Sequence, residues 1–354
     1  MPLDRRSSTV QGRAMTPRAD LEAALARQGR VPLACLPTPL HPLPRLSETL
    51  GGPEIWVKRD DLTGLAFGGN KTRQLEFLFA DILASGCDTV VAGAYTQSNW
   101  CRQMTAACAR LGLSIHLVLL HGQKGPKLQG NLLLDRLMGA EVEIVDLDTM
   151  EKLQPLIDRR AEELRAQGRK VYVVEPLGLR SNVLGALGYV AATLELLDQM
   201  EATGHVFHEL WQCGANMQPA GLVLGLKALG CATQLRTVTS IRWSKPRDVD
   251  IAEIANATAE HLGIPTRVSP SEVNATDDWI GPGYGILTPE AREALFLCAR
   301  TEGLILDPVY TAKAMAGLID AIRRGRIGRD RRIVFLHSGG TPALFAYAED
   351  LGLD

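Results

Sequence analysis

A lysine that follows two glycines is the residue of this sequence with the clearest capacity for chemistry. Gly68 and Gly69 run into Asn70 and Lys71, where the residue pattern predicts that a helix begins. Glycines permit backbone conformations that other residues avoid, and a lysine in the first turn lies in the positive end of the helix dipole. Such an amine can form a Schiff base with a carbonyl group. A structural turn followed by a solvated lysine explains the same residues, and spacing alone favours that interpretation.

A second polar cluster runs from Thr96 to Asn99, where a strand is predicted to end and a helix to begin. Ser98 or Asn99 at such a position is an ordinary helix N-cap. The N–H groups of a helix end also bind carboxylates and phosphates, and open α/β sheets bind ligands at the C-terminal ends of their strands. The pattern is compatible with both interpretations.

The elements that must position these residues alternate regularly along the chain. Runs rich in β-branched residues predict strands at 88–94, 114–120, 141–145 and 170–176, with helices near 99–111, 128–138, 151–167 and 183–200. A second series predicts strands at 205–213, 235–243 and 331–340, with helices near 219–229, 249–262, 289–302 and 311–324. We therefore predict an α/β fold with two open parallel-sheet lobes and an active-site cleft between them. Residues 52–73 are predicted to be irregular until the helix that carries Lys71.

The composition of the 354 residues excludes several classes of protein. With 46% hydrophobic and 22% charged residues, the chain is expected to form a packed core, which excludes disordered, fibrous and coiled-coil proteins. The formal net charge of −2 makes nucleic acid and anionic membranes poor partners. No run reaches the ~20 apolar residues of a membrane span. We expect a small-molecule ligand.

Cysteine usage and the opening residues bear on location. The seven cysteines are an odd number without CxxC or Cys/His clustering, which favours reduced thiols in a cytoplasmic protein and no metal site. The opening MPLDRRSSTVQGRAMTPRAD is rich in Arg and Ser and lacks the apolar stretch of a secretory signal. Residues 1–30 are predicted to be a disordered tail.

Several segments together resemble the D-cysteine desulfhydrase and 1-aminocyclopropane-1-carboxylate deaminase family. They run in order from about residue 32 to the C-terminus: LPTPL (36–40), IWVKRDDLTG (55–64), GGNKTRQLEFL (68–78), TQSN (96–99), SNVLGALGYV (181–190), GPGYGI (281–286), EGLILDPVYTAKAMAGLI (302–319) and HSGGTPALFAY (337–347). This family consists of pyridoxal-phosphate enzymes of the tryptophan-synthase β-like fold, known as fold type II. The resemblance implies a large cofactor-binding domain from 31–75 and 190–354, a small domain from 76–189, and a homodimer.

The resemblance also implies roles for individual residues. Lys71 would hold pyridoxal 5'-phosphate and then move the Cα proton of the substrate, while Ser98 matches the active-site serine. Asn99 matches the asparagine beside the ring oxygen of the cofactor, and the backbone around this pair would receive the substrate carboxylate. Tyr284 and Tyr310 match two tyrosines that flank the substrate and exchange protons with it.

The cofactor set implied by the resemblance departs from the family in the phosphate loop. Relatives carry a Gly/Ser/Thr-rich loop whose N–H groups cradle the phosphate. Here Asn216, Met217 and Gln218 replace two glycines and a threonine, which predicts weaker cofactor binding. The full expected set is Asn70, Lys71, Asn99, Gly214, Ala215, Asn216, Met217, Gln218, Thr311, Ser338 and Gly339. Thr311 stands where deaminases of the family carry a glutamate near the pyridine nitrogen.

The residues expected around the substrate also differ from the family norm. Trp100 replaces a histidine and Tyr95 a small residue, so the expected substrate set is Tyr95, Ser98, Asn99, Trp100 and Tyr284, with Arg242 a further candidate. The predicted function is β-elimination and deamination of a small amino acid to a 2-oxo acid and ammonia. The alternatives are cyclopropane-carboxylate deaminase, sulfonate-eliminating lyase, racemase, or a catalytically silent member. A dinucleotide-binding oxidoreductase is disfavoured because no GxGxxG follows a strand.

Overall fold

The structure is a computed structural model and describes residues 15–353. Its strands are β1 (Leu40–Pro42), β2 (Glu54–Lys58), β3 (Thr89–Tyr95), β4 (Ser114–Leu120), β5 (Glu141–Val145), β6 (Val171–Val173), β7 (Glu209–Cys213), β8 (Gln234–Val238), β9 (Ala275–Thr276) and β10 (Arg332–Leu336). Its helices are α1 (Arg18–Ala26), α2 (Pro44–Leu50), α3 (Asn70–Ala84), α4 (Asn99–Leu111), α5 (Gly130–Leu137), α6 (Gln154–Ala166), α7 (Leu179–Thr203), α8 (Met217–Ala228), α9 (Arg247–Leu262), α10 (Pro289–Glu302), α11 (Thr311–Arg323), α12 (Thr341–Leu344) and α13 (Ala348–Leu351).

The strands form two sheets. Sheet A has the order β1-β2-β10-β7-β8-β9, and sheet B has the order β5-β4-β3-β6. All neighbours are parallel except β1 and β2, which are antiparallel. Parallel sheets need helices on both faces, because their strands are apolar on both sides. The predicted α/β fold with two parallel-sheet lobes is confirmed.

Strand β2 corrects the expectation that residues 52–73 are irregular up to Lys71. It lies between β1 and β10, and Ile55 and Val57 are both fully buried. The five-residue strand was hidden by the glycines at 51, 52 and 64, which suggested a loop throughout. Its pairing with β10 joins residues that are far apart in the chain, so local sequence signals do not report it.

Helices α3 and α7 carry the chain between the two sheets. The chain passes from β2 in sheet A to β3 in sheet B through α3, and it returns from β6 to β7 through α7. The expected domain boundaries at 76 and 189 therefore fall inside these helices. A Cβ at Gly188 of α7 would lie 2.3 Å from the Arg73 carbonyl, and one at Gly221 of α8 would lie 2.3 Å from the Ala186 carbonyl. Glycine thus lets α3, α7 and α8 approach closely and sets their relative positions.

The N-terminal part of the described chain also differs from the prediction. Residues 15–30 are not a disordered tail, because Arg18–Ala26 form α1, and its Leu21, Ala24 and Leu25 are buried against α7, α8 and α9. The Arg- and Ser-rich composition of the preceding residues obscured this short amphipathic pattern. Residues 1–14 lie outside the described residues.

Three further features concern the chemistry that the described residues offer. No helix within residues 15–353 has the length and apolar character needed to cross a membrane. All seven cysteines fall in this part of the chain, and each is a free thiol. His, Cys, Asp and Glu side chains in the same range form no group of three or more that could hold a metal ion.

Candidate active site

The start of α3 places Lys71. The helix begins at Asn70, as the sequence predicts, and the Asn70 N–H donates to the Ser338 carbonyl at 2.9 Å. The preceding residue, Gly69, has a φ of 124°, and a Cβ there would lie 2.6 Å from Gln103 Nε2. Glycine is therefore required on both conformational and steric grounds. This turn fixes the direction in which Lys71 leaves the helix.

Arg73, two residues beyond Lys71, anchors α3 in a buried ionic network. Its guanidinium donates to both carboxylate oxygens of Asp60 at 2.9 Å, and to Glu195 of α7 at 2.9 and 2.8 Å. Arg73 and Asp60 are only 2% and 0% exposed, so loss of one partner would leave an uncompensated buried charge. Sequence analysis missed this network because Asp60 is 13 residues and Glu195 is 122 residues from Arg73 in the chain.

The Lys71 amine lies in a cavity and makes no hydrogen bond to any described residue. Its Nζ is 5.8 Å from the centroid of the Trp100 ring. Burial disfavours the charged ammonium and lowers the pKa of Lys71 to about 8. A substantial fraction of the amine is thus unprotonated slightly above neutral pH, the state in which it is a nucleophile and a base.

The N-terminus of α4 faces the same cavity. Ser98 is the N-cap, and its Oγ accepts from the Cys101 N–H at 3.2 Å, which confirms the capping interpretation. Asn99 Oδ1 accepts from Asn131 Nδ2 at 2.9 Å, so its side chain is held in place. The N–H groups of Asn99 and Trp100 have no acceptor among residues 15–353, as is usual in a first helical turn. They can receive an anionic group such as a carboxylate.

Two tyrosines form a hydrogen-bonded pair in the cavity. The hydroxyl oxygens of Tyr284 and Tyr310 are 2.5 Å apart, and the Tyr284 ring packs on Tyr95 at 4.8 Å between centroids. Burial raises the pKa of both Tyr284 and Tyr310 above the ordinary value. Both hydroxyls therefore keep their protons at neutral pH, and one of them can pass a proton to the other.

The N-terminus of α8 forms another end of the cavity. Asn216 is the N-cap, and its Oδ1 accepts from the Met217 N–H at 2.8 Å. Pro219 brings no N–H, and the Gly214 N–H donates to Val238. The N–H groups of Ala215, Asn216 and Gln218 find no acceptor within the described chain. Three open donors are thus available to an anion.

The Gln218 side chain is held by hydrogen bonds to α3 and to strand β7. Its Oε1 accepts from Asn70 Nδ2 at 2.6 Å, and its Nε2 donates to Gln212 Oε1 at 2.7 Å. The side chain is only 2% exposed. Gln218 therefore does not extend into the cavity as a free donor, but connects the start of α3 to the strand before α8.

Thr311 is one of two predicted site residues that do not line the cavity, and the other is Arg242. It is fully buried, and its Oγ1 donates to Asp307 Oδ1 at 2.6 Å and accepts from the Asp307 N–H at 2.7 Å. The Thr311 hydroxyl therefore donates its hydrogen bond to the Asp307 carboxylate. The role expected for Thr311 near a pyridine nitrogen stays a prediction.

All the other predicted site residues line one cavity with an empty volume of about 1030 Å³, between the two sheets. They are Asn70, Lys71, Tyr95, Ser98, Asn99, Trp100, Gly214, Ala215, Asn216, Met217, Gln218, Tyr284, Tyr310, Ser338 and Gly339. Sequence analysis did not assign Cys213, Ser240, Met150, Ile241 or Trp243, which also line it. Cys213 and Ser240 could have been found, because they lie at or just beyond the ends of parallel strands, the same signal that identified Ser98.

Arg242 differs from its expected position. Strand β8 ends at Val238, and the Arg242 guanidinium turns to Asp277, with Nε and Oδ2 2.7 Å apart. It does not line the Lys71 cavity. Its neighbour Trp243 does.

The residues present fit pyridoxal phosphate. Lys71 would hold its carbonyl carbon, and the three open N–H groups at 215, 216 and 218 would hold its phosphate. The approach of Gly339 to Gly69 leaves backbone rather than side chains on one wall, since a Cβ at Gly339 would lie 2.7 Å from Gly69 Cα. The loop lacks the expected glycines, but it retains an anion-binding geometry.

Comparison with known proteins agrees with this chemistry. The sequence model of the family described as pyridoxal-phosphate dependent enzyme matches residues 31–339. A crystal structure of an ACC deaminase homologue superposes with a TM-score of 0.84 at 35% sequence identity, covering 95% of this chain and 99% of that one. The chain is thus a fold type II enzyme of lyase or deaminase type with pyridoxal phosphate as its cofactor, and it belongs to the pyridoxal-phosphate dependent enzyme family.

Proposed function

We propose that this enzyme removes the β substituent and the amino group of a small amino acid, releasing a 2-oxo acid and ammonia, as D-cysteine desulfhydrase does. The observation that carries the proposal is a lysine that forms no hydrogen bond within residues 15–353 and lies in a cavity with two helix N-termini and a tyrosine pair. The two helix ends offer separate places for a phosphate and for a substrate carboxylate. The lysine lies in the same space and supplies the amine.

When bound, pyridoxal phosphate supplies a carbonyl that condenses with amines and a ring that stabilises negative charge at the substrate Cα. Lys71 then acts as the base at Cα, because its depressed pKa of about 8 leaves part of the amine unprotonated. The N–H groups of Asn99 and Trp100 receive the substrate carboxylate and orient the Cα–H bond toward Lys71. Tyr284 and Tyr310, held protonated by burial, donate a proton to the departing group.

The lack of a carboxylate side chain at position 311 favours elimination over opening of a cyclopropane ring. Deaminases of the resembling family carry a glutamate at this position, and a carboxylate there keeps the pyridine nitrogen protonated and strengthens electron withdrawal. A neutral hydroxyl gives weaker withdrawal, which suffices to expel a good leaving group. The likeness to an ACC deaminase homologue supports the deaminase as the second candidate.

The resemblance and the thiol content further support a homodimer and a cytoplasmic location as proposals. Sedimentation of the holoenzyme tests the first, and fractionation of cells that express it tests the second. Neither affects the assignment of the site.

A single experiment tests both candidate functions. The holoenzyme is incubated with each enantiomer of β-chloroalanine and cysteine, and with 1-aminocyclopropane-1-carboxylate, and the 2-oxo acids and ammonia are measured. Elimination gives pyruvate, whereas ring opening gives 2-oxobutanoate. Reduction with borohydride followed by peptide mapping should place the cofactor on Lys71, and Lys71→Ala should abolish both attachment and turnover. Attachment to another lysine, or no 2-oxo acid from any of these compounds, contradicts the proposal.

A further inference from the structure

A second cavity adjoins the one that contains Lys71. It has an empty volume of about 760 Å³ and shares five residues with the Lys71 cavity, namely Tyr95, Met150, Ile241, Trp243 and Tyr284. We call this second cavity the outer chamber, and the five shared residues its shared wall. The chamber lies between the small-domain residues after β5 and the segment after β8. The two cavities therefore meet at the five shared residues.

The shared wall is aromatic and apolar. The rings of Tyr95 and Tyr284 are tilted by 34° with centroids 4.8 Å apart, so that they form one stacked surface. Met150, Ile241 and Trp243 complete the wall. Their side chains are apolar apart from the indole N–H of Trp243. Surfaces of this kind bind planar apolar groups by area burial and by offset stacking.

The charged side chains around the chamber are already paired. Arg242 contacts Asp277 at 2.7 Å, the Asp148 carboxylate contacts Lys152 at 2.8 Å, and Glu151 accepts from Ser244 Oγ at 2.7 Å. Asp148, Glu151 and Arg242 are the charged residues that line the chamber in the described part of the chain. Of these three, Arg242 alone is a cation, so an anionic substituent would have to compete with Asp277 for it and would be repelled by Asp148 and Glu151. A neutral one loses no charge–charge interaction by binding.

We infer that the outer chamber binds the side-chain substituent of the substrate, and that this substituent is a neutral aromatic group. The inference rests on the proposed function, which places the amino and carboxyl groups of the substrate beside Lys71. A thiol group covers less of the apolar wall than an aryl group does, and would leave more of that wall exposed to water. S-phenylcysteine represents the class of substrate that fills both spaces.

The reaction of S-phenylcysteine balances without an oxidant. The Cα–H and Cβ–S bonds break, the sulfur leaves with the electron pair of the Cβ–S bond and takes up a proton, and one water supplies the new carbonyl oxygen. The products are thiophenol, pyruvate and ammonia. Lys71 takes the Cα proton, as in the proposed function.

Binding of unreactive analogues to the holoenzyme tests the chamber separately from the reaction. Phenylalanine and alanine lack a β leaving group and differ only by a phenyl ring. By calorimetry, the preferred enantiomer of phenylalanine should bind at least tenfold more tightly than alanine, the gain expected from burying an aromatic ring. Trp243→Ala should reduce this ratio severalfold. Phe345→Ala, at an exposed aromatic side chain that lines neither cavity, should leave it unchanged.

Two further measurements keep the inference falsifiable if Trp243→Ala does not fold. Met150→Lys places a cation on the shared wall, and should weaken phenylalanine binding while strengthening that of cysteate. In pyruvate assays, S-phenylcysteine should exceed cysteine in kcat/KM by at least tenfold.

The outcomes separate the chamber from the proposed function. Equal affinities for phenylalanine and alanine, or loss of cysteate binding in Arg242→Ala, overturn the aromatic chamber, even where β-chloroalanine yields pyruvate. A retained phenylalanine preference without pyruvate from any compound supports the chamber and contradicts the elimination reaction.

Discussion

The N-termini of α4 and α8 are built on the same plan but offer different donors to the cavity. Each helix follows a parallel strand, β3 or β7, and each has a side-chain N-cap. Ser98 caps the third N–H of α4 and leaves the first two open. Asn216 caps the first N–H of α8 and leaves the second open, and Pro219 removes the third. The open donors of α8 therefore come mostly from the loop before it.

This difference shows that a helix end is not an anion site by virtue of its dipole alone. What an anion meets is the set of N–H groups that the cap and the first-turn residues leave free. At α4 that set is contiguous within the helix. At α8 it is divided between the loop at 215–216 and Gln218, so a phosphate bound there would be held by a less regular arrangement.

The largest expected effect concerns Lys71, which lies in the cavity that both helix ends face. Because the pKa of Lys71 is lowered to about 8, the neutral amine at pH 7 is on the order of a hundredfold more abundant than for an ordinary lysine. The rate at which the apoenzyme captures pyridoxal phosphate should rise with pH and level off above 8. Stopped-flow absorbance measures it. Asn216→Asp adds a negative charge at the α8 end and should raise the pH at which the capture rate is half-maximal. A half-maximal rate near pH 10 in the unaltered protein would contradict the lowered pKa of Lys71.

The next largest effect tests the α4 end. Asn99→Pro removes the first open N–H, and proline is compatible with the first helical position because Ser98 is already extended, with φ and ψ of −75° and 119°. Loss of one charge-assisted hydrogen bond should lower kcat/KM about 10- to 100-fold for every amino-acid substrate. Cofactor affinity should fall to the same extent in this variant and in Asn99→Ala, because both lose the side chain that the resemblance places beside the cofactor ring. Asn99→Ala is the control, because it removes the same side chain but keeps the N–H; equal losses in both variants would assign the effect to the side chain.

A smaller effect is expected at the α8 end. Asn216→Gly removes the cap and frees the Met217 N–H for the phosphate, while glycine is itself tolerated at an N-cap. Cofactor affinity should increase about threefold to tenfold, measured by equilibrium dialysis of the apoenzyme. Asn216→Asp keeps the cap and should weaken binding by placing a negative charge beside the phosphate. Weaker binding in Asn216→Gly would show that the Asn216 amide is itself a phosphate donor.

The smallest effect concerns stability. Ser98→Ala leaves the Cys101 N–H uncapped and should lower the free energy of unfolding of the apoenzyme by about 1 kcal/mol. Thermal unfolding of the variant against the unaltered apoenzyme measures it. Ser98→Thr retains the oxygen and should restore most of the loss. No change in Ser98→Ala would mean that the cap contributes nothing to stability.

Much of the fold could be predicted from local patterns. Strands β4 and β5 and helices α4 and α10 begin and end where the residue pattern places them. Apolar residues recur with a period of 2 in strands and 3.6 in helices, and neighbouring residues are enough to show either period. The positions of Lys71 and Ser98 followed from the same logic, since a glycine turn and a strand end are local features. The resemblance to a family then gave Tyr284 and Tyr310 their place in one site.

Where the prediction failed, the deciding contact is long-range. Strand β2 depends on pairing with β10, and α1 on packing against α7, α8 and α9. Arg73 carries no local sign that Asp60 and Glu195 will surround it. Such pairs lie far apart in the chain, and no periodicity reports them.

Residue order over a few turns determined that the chain is an α/β protein with a lysine at a helix start, and the resemblance to a family assigned that lysine its reactive role. Only the tertiary structure decided which side chains face that lysine. Arg242 turns to Asp277 and Thr311 to Asp307, whereas Trp243 and Met150 turn toward the cavity. A side chain's direction is set by the partner that offers the lower free energy, and that partner is known only once the chain has folded.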